Sequence, residues 1–254
     1  MIDVIINIGF LYKPNITITL KHFVYIILLA IAITSCNVND IVGSGVVITE
    51  SRPITEFSEL YVQGNYNVHI KQGNNYKLFL KMDDNLLDNT ITEINGDELQ
   101  IISNYEVRNS RAKDIYITVK KLDRIELIGS TTLINSNVFR VKSLKIISEG
   151  SCDLDLHVHA STVSLNLSGN SKAKLIGTSA YFDVDISGYG HLNSLGLFSD
   201  NVILKLSGSV SSKVFSANYL DVNISGDGQV YYKGTPELKV NSSRDTMVLP
   251  IKKM

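Results

Sequence analysis

The sequence has no tryptophan, only four prolines and two cysteines, and almost no net charge. Its 24 basic and 25 acidic residues give a formal net charge of −1, so the strong cationic field on which nucleic-acid binding relies is missing. Two cysteines cannot build a disulfide scaffold, and phosphate-binding loops, Ser/His/Asp signatures and Cys-x-x-Cys pairs are absent. We therefore expect no nucleic-acid partner and no cofactor.

The sequence does contain a repeat. Downstream of residue 120, a glycine ends each of six short segments in which apolar and polar residues alternate. These marker glycines, spaced by 21, 19, 19, 20 and 18 residues, are Gly129, Gly150, Gly169, Gly188, Gly208 and Gly226. A fixed period is typical of stacked repeat proteins, and the abundance of β-branched residues indicates that the repeated unit is mostly strand.

The alternation predicts which side chains form the core. Residues two, four and six positions before a marker glycine are apolar in sixteen of eighteen cases, whereas those one, three and five positions before are apolar in three. Successive side chains of a strand point to opposite faces, so the first set is predicted to be buried and the second exposed. The position directly before each glycine forms a column that is mostly serine: Ile128, Glu149, Ser168, Ser187, Ser207 and Ser225.

Such repeats bury their apolar faces by stacking about 4.8 Å apart with like residues over like residues. We therefore predict an all-β fold, a parallel β-helix or solenoid with rungs of about 20 residues, right-handed like other parallel crossovers. Residues 43–120 are less regular, with a predicted helical turn between residues 83 and 90 and a hairpin turn at residues 95–97. They are expected to form an N-terminal capping layer.

The N-terminus predicts export and anchoring. An apolar stretch from Phe23 to Ile33 follows Lys21 and His22, as in the core of a signal peptide. As a helix it would span about 16 Å, roughly half of a bilayer core, so a permanent membrane span is not expected. The stretch ends in Ile33-Thr34-Ser35-Cys36, which resembles a bacterial lipobox and predicts a lipidated Cys36 as the new N-terminus. A plain secretory signal with a chance cysteine is the alternative.

The predicted domain organisation follows from these boundaries. Residues 1–35 are the signal segment, and residues 1–20 indicate a misassigned start, because the basic residues of the signal come only after them. The other predicted parts are a lipid-anchored tether at residues 36–42, the solenoid head at residues 43–241 and a C-terminal tail at residues 242–254.

Several segments resemble a known family. They are Gly43-Ser44-Gly45-Val46-Val47, Phe57-Ser58-Glu59-Leu60, Asp84-Asn85-Leu86-Leu87-Asp88 and Ile115-Tyr116-Ile117-Thr118-Val119. Together with the serial Ser-Gly endings, they resemble the head GIN domain of autotransporter adhesins, common in lipoproteins of Bacteroidota, over residues 43–240. The resemblance implies a β-helical fold and an envelope location. It carries no catalytic or binding motif that could be transferred to this chain, so it implies little about molecular function.

One segment has the donors of a metal site. Four residues alternate with apolar ones and would point to one side at intervals of about 6.6–7 Å: Asp153, Asp155, His157 and His159. Two histidines with flanking carboxylates could ligate Zn²⁺ or a similar ion. The alternative, which we favour, is an ordinary solvated face opposite the apolar residues Leu154, Leu156 and Val158.

Two further carboxylates, Asp183 and Asp185, share an outer face, and paired carboxylates perform acid–base chemistry in polysaccharide enzymes. Repeats this short leave little chain for the loops that wall a substrate cleft. Lys205 follows one repeat later in the column of Asp185, so an exposed ion pair is the simpler interpretation. Cys152 is in phase with Leu154 and is predicted to be a small core residue instead of a nucleophile.

The sequence therefore favours a non-catalytic, adhesin-like binding or structural module in the cell envelope, held to a bacterial membrane, expected to be the outer one, by lipid on Cys36. Its outer columns of Ser, Asn, Asp and Lys suit glycans or envelope proteins as partners. The alternative is a β-helical polysaccharide hydrolase or lyase that uses Asp183 or Asp185. The ligand, the surface or periplasmic orientation and the oligomeric state stay open.

Overall fold

The computed structural model describes residues 40–242 and 247–251, which consist mainly of β-strands. The strands are β1 (Asp40–Val42), β2 (Val47–Arg52), β3 (Glu59–Gln72), β4 (Lys77–Asp83), β5 (Thr90–Asn95), β6 (Glu98–Ser103), β7 (Glu106–Asn109), β8 (Lys113–Val119), β9 (Arg124–Asn135), β10 (Phe139–Lys233), β11 (Glu237–Ser242) and β12 (Met247–Pro250). Within these residues, helix is limited to α1 (Asp84–Leu87). The prediction of an all-β fold is confirmed.

The strands form one large mixed sheet that does not close on itself, in the order β11–β10–β9–β3–β8–β4–β2. The pairs β3–β9, β9–β10, β10–β11 and β10–β12 are parallel, whereas β2–β4, β4–β8 and β5–β6 are antiparallel. β1 and β7 form a separate parallel pair. Parallel pairing therefore dominates the repeated part of the chain, and antiparallel pairing is confined to its N-terminal part.

The marker glycines bring successive repeats into contact. Gly64 pairs with Gly129, and Gly129 pairs with Gly150, in a parallel register. Within the 95 residues of β10, a Cβ on Gly169, Gly188 or Gly208 would collide with the carbonyl oxygen of the marker glycine one repeat earlier. The six predicted marker glycines have φ between 95° and 127°, a region that L side chains avoid. Glycine is therefore required both by the backbone conformation and by the close approach.

Burial confirms the predicted inward and outward positions. The sixteen apolar residues two, four and six positions before the marker glycines are all at most 4% exposed. Of the two polar residues at these positions, Ser148 is also buried, at 2%, and Asp123 is half-buried. Leu165, Val184 and Leu204 occupy equivalent positions of successive repeats and lie in one continuous core cluster. The alternation in the sequence therefore specified the core of these segments correctly.

The N-terminal part caps one edge of the parallel strands. β3 pairs with β9 along one edge, and on its other edge with β6 at Glu59–Gln63 and with β8 at Asn67–Gln72. β4 and β2 then extend the sheet in the antiparallel sense. The predicted helical turn is α1, and the predicted hairpin turn joins β5 to β6. The cap thus covers β3, which itself belongs to the parallel stack.

The C-terminal residues continue the parallel pairing. Leu238 of β11 pairs with Leu220, and Val248 of β12 pairs with Val230. Each pair places an apolar residue beside a buried residue of β10. Residues 247–250, which the sequence assigned to the tail, therefore add a further strand to the sheet.

Candidate functional site

One outward surface of the repeats carries polar side chains in register. It includes outward residues one, three or five positions before Gly169, Gly188, Gly208 and Gly226, together with Asn241, which pairs with Asn223. We call the following residues the polar face: Ser164, Asn166, Asp183, Asp185, Ile203, Lys205, Ser207, Asn223, Ser225 and Asn241. The strand alternation explains its orientation, because Val184 and Ile186, which flank Asp185, are buried at 2% and 0%. Asp183 and Asp185 therefore point outward together, as the sequence predicted.

Two open depressions lie side by side on the polar face. The first has a volume of about 390 Å³ and is lined by Ser164, Asn166, Asp183, Val184, Asp185, Ile203 and Lys205. The second, of about 480 Å³, is lined by Asp185, Lys205, Leu206, Ser207, Asn223, Ile224, Ser225, Asn241 and Ser242. Asp185 and Lys205 belong to both depressions. The two residues therefore stand between two neighbouring depressions, which together we call the groove.

The charged groups of this groove are not engaged with other groups of the protein. Among the described residues, Asp183, Asp185 and Lys205 form no ion pair within 4.0 Å and no side-chain hydrogen bond. The ion pair predicted between Asp185 and Lys205 is therefore not formed. The two side chains lie on different repeats at an exposed surface, where an ion pair contributes only about 0–1 kcal/mol and small differences in side-chain placement decide whether it forms. Both groups are available to a ligand.

Carboxylates elsewhere on the repeats do pair with lysines one repeat away. Lys174 lies 2.9 Å from Asp155, Lys239 lies 3.0 Å from Asp221, and Lys172 lies 3.7 Å from Asp153. These are distances between side-chain nitrogen and carboxylate oxygen. The absence of such a pair thus distinguishes Asp185 from Asp153, Asp155 and Asp221.

The four candidate metal ligands face outward, since Leu154, Leu156 and Val158 between them are buried. The rings of His157 and His159 lie 5.5 Å apart, centroid to centroid. Within the described part of the chain, however, no three His, Cys, Asp or Glu side chains approach closely enough to hold a metal ion. The Asp153 and Asp155 carboxylates are paired with Lys172 and Lys174 instead.

His159 also has a protein partner. Its Nδ1 lies 2.6 Å from the hydroxyl oxygen of Thr178. Loss of hydration, and then the positive charges of Arg140 and His157, lower the pKa of His159. The arrangement is that of a histidine hydrogen-bonded to a neighbouring repeat. A metal ion at these four residues stays a prediction.

Cys152 is a core residue, as predicted. Its side chain is 3% exposed, and burial raises the pKa of its thiol to about 11. A thiol with such a pKa carries almost no thiolate near neutral pH, so it cannot act as a nucleophile there. Cys36 and the signal segment at residues 1–35 lie outside the described residues. No helix in the part of the chain that the structure describes has the length and apolarity to span a membrane.

Sequence reasoning missed the polar groups inside the repeats. The hydroxyls of Ser179 and Ser199 are hydrogen-bonded at 2.8 Å within the core. Thr131, Ser171 and Ser212 have buried hydroxyls without a hydrogen-bond partner in the described residues. Thr131 and Ser171 stand two positions after Gly129 and Gly169, so continuing the alternation beyond the marker glycines would have found them.

Sequence reasoning also missed the role of Asp83. This side chain is fully buried, and its carboxylate accepts hydrogen bonds from the backbone N–H groups of Gly45 at 2.8 Å, Arg111 at 3.0 Å and Ala112 at 3.1 Å. It precedes α1 but does not cap it with a side-chain hydrogen bond. Its partners lie far away in sequence, so no local pattern indicated them.

Comparison with known families identifies the class of protein. The family described as "Putative auto-transporter adhesin, head GIN domain" matches residues 56–236, which is more than half of the chain. The chain therefore belongs to the head GIN domain family, as the sequence resemblance predicted.

Solved structures agree with this fold. The chain is similar to a "putative adhesin" from Bacteroides fragilis, with a TM-score of 0.78 and 21% identity over 83% of this chain and 100% of that chain. It is similar to a "putative lipid binding protein" from Parabacteroides distasonis, with a TM-score of 0.72 and 22% identity over 84% of this chain and 100% of that chain. It is also similar to a "putative adhesin" from Parabacteroides merdae, with a TM-score of 0.64 and 18% identity over 84% of this chain and 100% of that chain. No curated protein matches the chain.

Proposed function

We propose that this protein is a lipid-anchored, adhesin-like binding module of the cell envelope that acts without catalysis. Its family and the solved structures that it resembles are described as adhesins or as a lipid-binding protein, not as enzymes. The single observation that carries the proposal is the groove around Asp185 and Lys205. Within the described residues the charged side chains of Asp183, Asp185 and Lys205 form no ion pair and no side-chain hydrogen bond, and serines and asparagines of successive repeats line the groove beside them.

The scaffold in this proposal is a right-handed parallel β-helix with coils of about twenty residues. The contacts between successive marker glycines support it, because they place residues one repeat apart on adjacent strands. The parallel register of β9 and β10, which runs without interruption from Lys145 to Asp155, supports it as well. A rigid scaffold of this kind holds surface groups in fixed positions, so a ligand would meet a preorganised row of polar groups.

The proposed partners are glycans or envelope proteins. Asp185 and Lys205 offer a charge of each sign, and neighbouring serines and asparagines both donate and accept hydrogen bonds. The depressions are open and lack the walls that enclose a small molecule. An extended ligand such as a polysaccharide could bind along the groove, with several weak contacts adding up over successive repeats.

A glycan array and a pull-down from envelope extracts test this proposal. The intact protein should retain a ligand, and Asp185→Asn combined with Lys205→Ala should weaken retention at least tenfold. Asp155→Asn combined with Lys174→Ala is the matched control, since it removes an acidic and a basic group from a paired position outside the groove. Equal loss in both double variants, or no ligand in either experiment, would refute binding by the groove.

Anchoring through Cys36 is the second part of the proposal. The apolar run from Phe23 to Ile33 and the Ile-Thr-Ser-Cys sequence at residues 33–36 support it. Several acyl chains, at about 0.8 kcal/mol per buried methylene, would hold the protein firmly to a membrane. Mass spectrometry of the mature N-terminus tests the idea: a lipid-modified peptide beginning at Cys36 supports anchoring, and an unmodified mature peptide that includes residues before Cys36 refutes it.

A polysaccharide hydrolase or lyase is the second candidate, and one observation favours it. Asp183 and Asp185 both line one depression, and outward residues two apart on a strand are separated by about 6.6–7 Å, within the range of inverting glycosidases. Release of oligosaccharides or unsaturated products from a polysaccharide panel, abolished by Asp185→Asn, would establish this activity. Binding without any product would favour the non-catalytic module.

A further inference from the structure

The first described residues are attached to the head by backbone pairing. β1 pairs in parallel with β7, with Asp40 opposite Glu106 and Ile41 opposite Val107. The N–H of Gly43 then donates to the carbonyl oxygen of Asn109 at 2.7 Å. The chain is therefore part of the folded head from residue 40 onward, although the sequence assigned residues 36–42 to the tether.

The buried Asp83 carboxylate fixes the next residues. It joins Gly45 on one side to Arg111 and Ala112 on the other, so it binds the entering chain to the segment that precedes β8. Asn85 adds two hydrogen bonds, because its side-chain oxygen accepts from the N–H of Ser44 at 2.9 Å and its side-chain nitrogen donates to the carbonyl oxygen of Val42 at 2.8 Å. Movement of this segment would break several hydrogen bonds at once.

This attachment leaves little chain between the head and the predicted anchor. Three residues separate Cys36 from Asp40. At about 3.3–3.6 Å per residue, the Cα atoms of these two residues cannot be more than about 14 Å apart. With its acyl chains in a bilayer, Cys36 would hold β1 at the level of the lipid headgroups.

The surface next to this attachment is apolar and exposed. Val42 is 59% exposed, Val46 is 56%, Val47 is 37% and Ile48 is 44%. We call these four residues the entry surface. Because Val47 and Ile48 are successive residues of β2, their side chains point to opposite faces, so the entry surface includes both faces of this edge strand. Large exposed apolar groups that follow one another in the chain are unusual on a soluble surface, because each loses the free energy of burial, about 25 cal/mol per Å². The basic residues Arg108 and Arg111 are also exposed on the neighbouring segment.

We propose that the entry surface rests on the lipid bilayer that holds Cys36. The inference rests on the proposed lipidation, and it adds that the head contacts the membrane through defined residues instead of swinging on a loose tether. The apolar side chains enter the interface between headgroups and acyl chains, where burial of a few such groups adds to anchoring by the lipid. The hydrogen bonds of Asp83 and Asn85 then fix the orientation of the head relative to the membrane.

The absence of tryptophan makes this contact measurable. Val46→Trp would introduce one tryptophan at the entry surface, and Tyr189→Trp would introduce one at an exposed position of a repeat, where the native side chain is 72% exposed. Both variants would be purified as the full lipid-modified protein and reconstituted in phosphatidylethanolamine/phosphatidylglycerol vesicles. Half of the vesicles would contain lipids brominated along the acyl chain, which quench nearby tryptophan. Circular dichroism would verify that both variants fold.

We expect the Val46→Trp emission to shift to shorter wavelength on reconstitution and to lose several times more intensity in brominated vesicles than the Tyr189→Trp emission. Equal, weak quenching of both variants in protein that carries the lipid would refute the contact and leave the anchoring intact. A wavelength shift without bromine quenching would show that another protein surface covers the residue, and would also refute it. Absence of lipid on Cys36 by mass spectrometry would refute the anchoring, and the inference with it.

Discussion

Gly169 lies directly against Gly150, so closely that a Cβ on Gly169 would collide with the carbonyl oxygen of Gly150. The same relationship joins Gly150 to Gly129 and Gly188 to Gly169. A column of glycines therefore runs across the parallel strands, and each member allows the backbone of the next repeat to approach.

The first prediction concerns this column. A positive φ costs an L residue about 1–2 kcal/mol. Gly169→Ala should lower the free energy of unfolding by more than this, because the new methyl group would also collide with backbone atoms of Gly150. Gly96→Ala is the control: Gly96 has φ 61°, but an added Cβ would meet nothing within 4 Å. Chemical denaturation of both variants measures the difference. Equal destabilisation would show that only the backbone conformation matters.

The second prediction concerns Asp83. Asp83→Ala leaves three backbone N–H groups without their acceptor, and each unsatisfied buried donor costs about 1–3 kcal/mol. We expect a loss of at least about 3 kcal/mol in the free energy of unfolding. Hydrogen exchange should accelerate at Gly45, Arg111 and Ala112. Asp88→Ala, at an exposed position near the end of α1, should change stability by less than about 0.5 kcal/mol.

The third prediction concerns the pH dependence that Cys152 contributes. Burial raises the pKa of its thiol to about 11 in the folded protein, whereas the unfolded chain exposes it with an ordinary pKa near 8.5. Between about pH 9 and pH 11 the unfolded state therefore binds fewer protons than the folded state, so stability falls as the pH rises. Denaturation at several pH values should show a smaller decline in Cys152→Ala than in the parent. An identical decline would mean that the thiol is not desolvated.

Accessibility gives an independent check on Cys152. In a Cys36→Ser background, a thiol-specific reagent at pH 8 should label the folded protein far more slowly than the chain unfolded in guanidinium chloride. Fast labelling of the folded protein would contradict the burial of this residue.

The fourth prediction tests the stacking order. Val184 and Leu204 occupy equivalent buried positions of adjacent repeats, whereas Leu165 and Val222 are three repeats apart. A double-mutant cycle with alanine at Val184 and Leu204 should give a coupling energy of about 0.5–3 kcal/mol. The cycle at Leu165 and Val222 should be additive within about 0.3–0.5 kcal/mol. Coupling in the second pair only would contradict the proposed order of the coils.

The sequence predicted those features that depend on local pattern. Alternation before the marker glycines specified buried residues such as Leu165 and exposed ones such as Asp185, because strand geometry turns each successive side chain to the opposite face. The hairpin turn between β5 and β6 was predicted from a second local pattern, since Asn-Gly favours a tight turn.

Features that depend on distant partners were not predictable in this way. The Asp83 carboxylate accepts hydrogen bonds from backbone N–H groups that are 28, 29 and 38 residues away in the sequence. The pairing of Lys174 with Asp155, and its absence between Lys205 and Asp185, depends on side-chain placement at an exposed surface where the energies are small. Three-dimensional packing determines which of these hydrogen bonds and ion pairs form, and the periodicity of the sequence does not contain this information.

The one-to-one register between β9 and β10 has a consequence for how such a protein can change over evolution. From Lys145 to Asp155 every residue faces a single residue of β9, with no bulge to interrupt the match. A duplicated or deleted unit would therefore meet the same register on its neighbours, with adjacent strands about 4.8 Å apart. Gene-level copying could thus add or remove parallel strands, while the chemistry displayed on each face of the sheet is inherited unchanged.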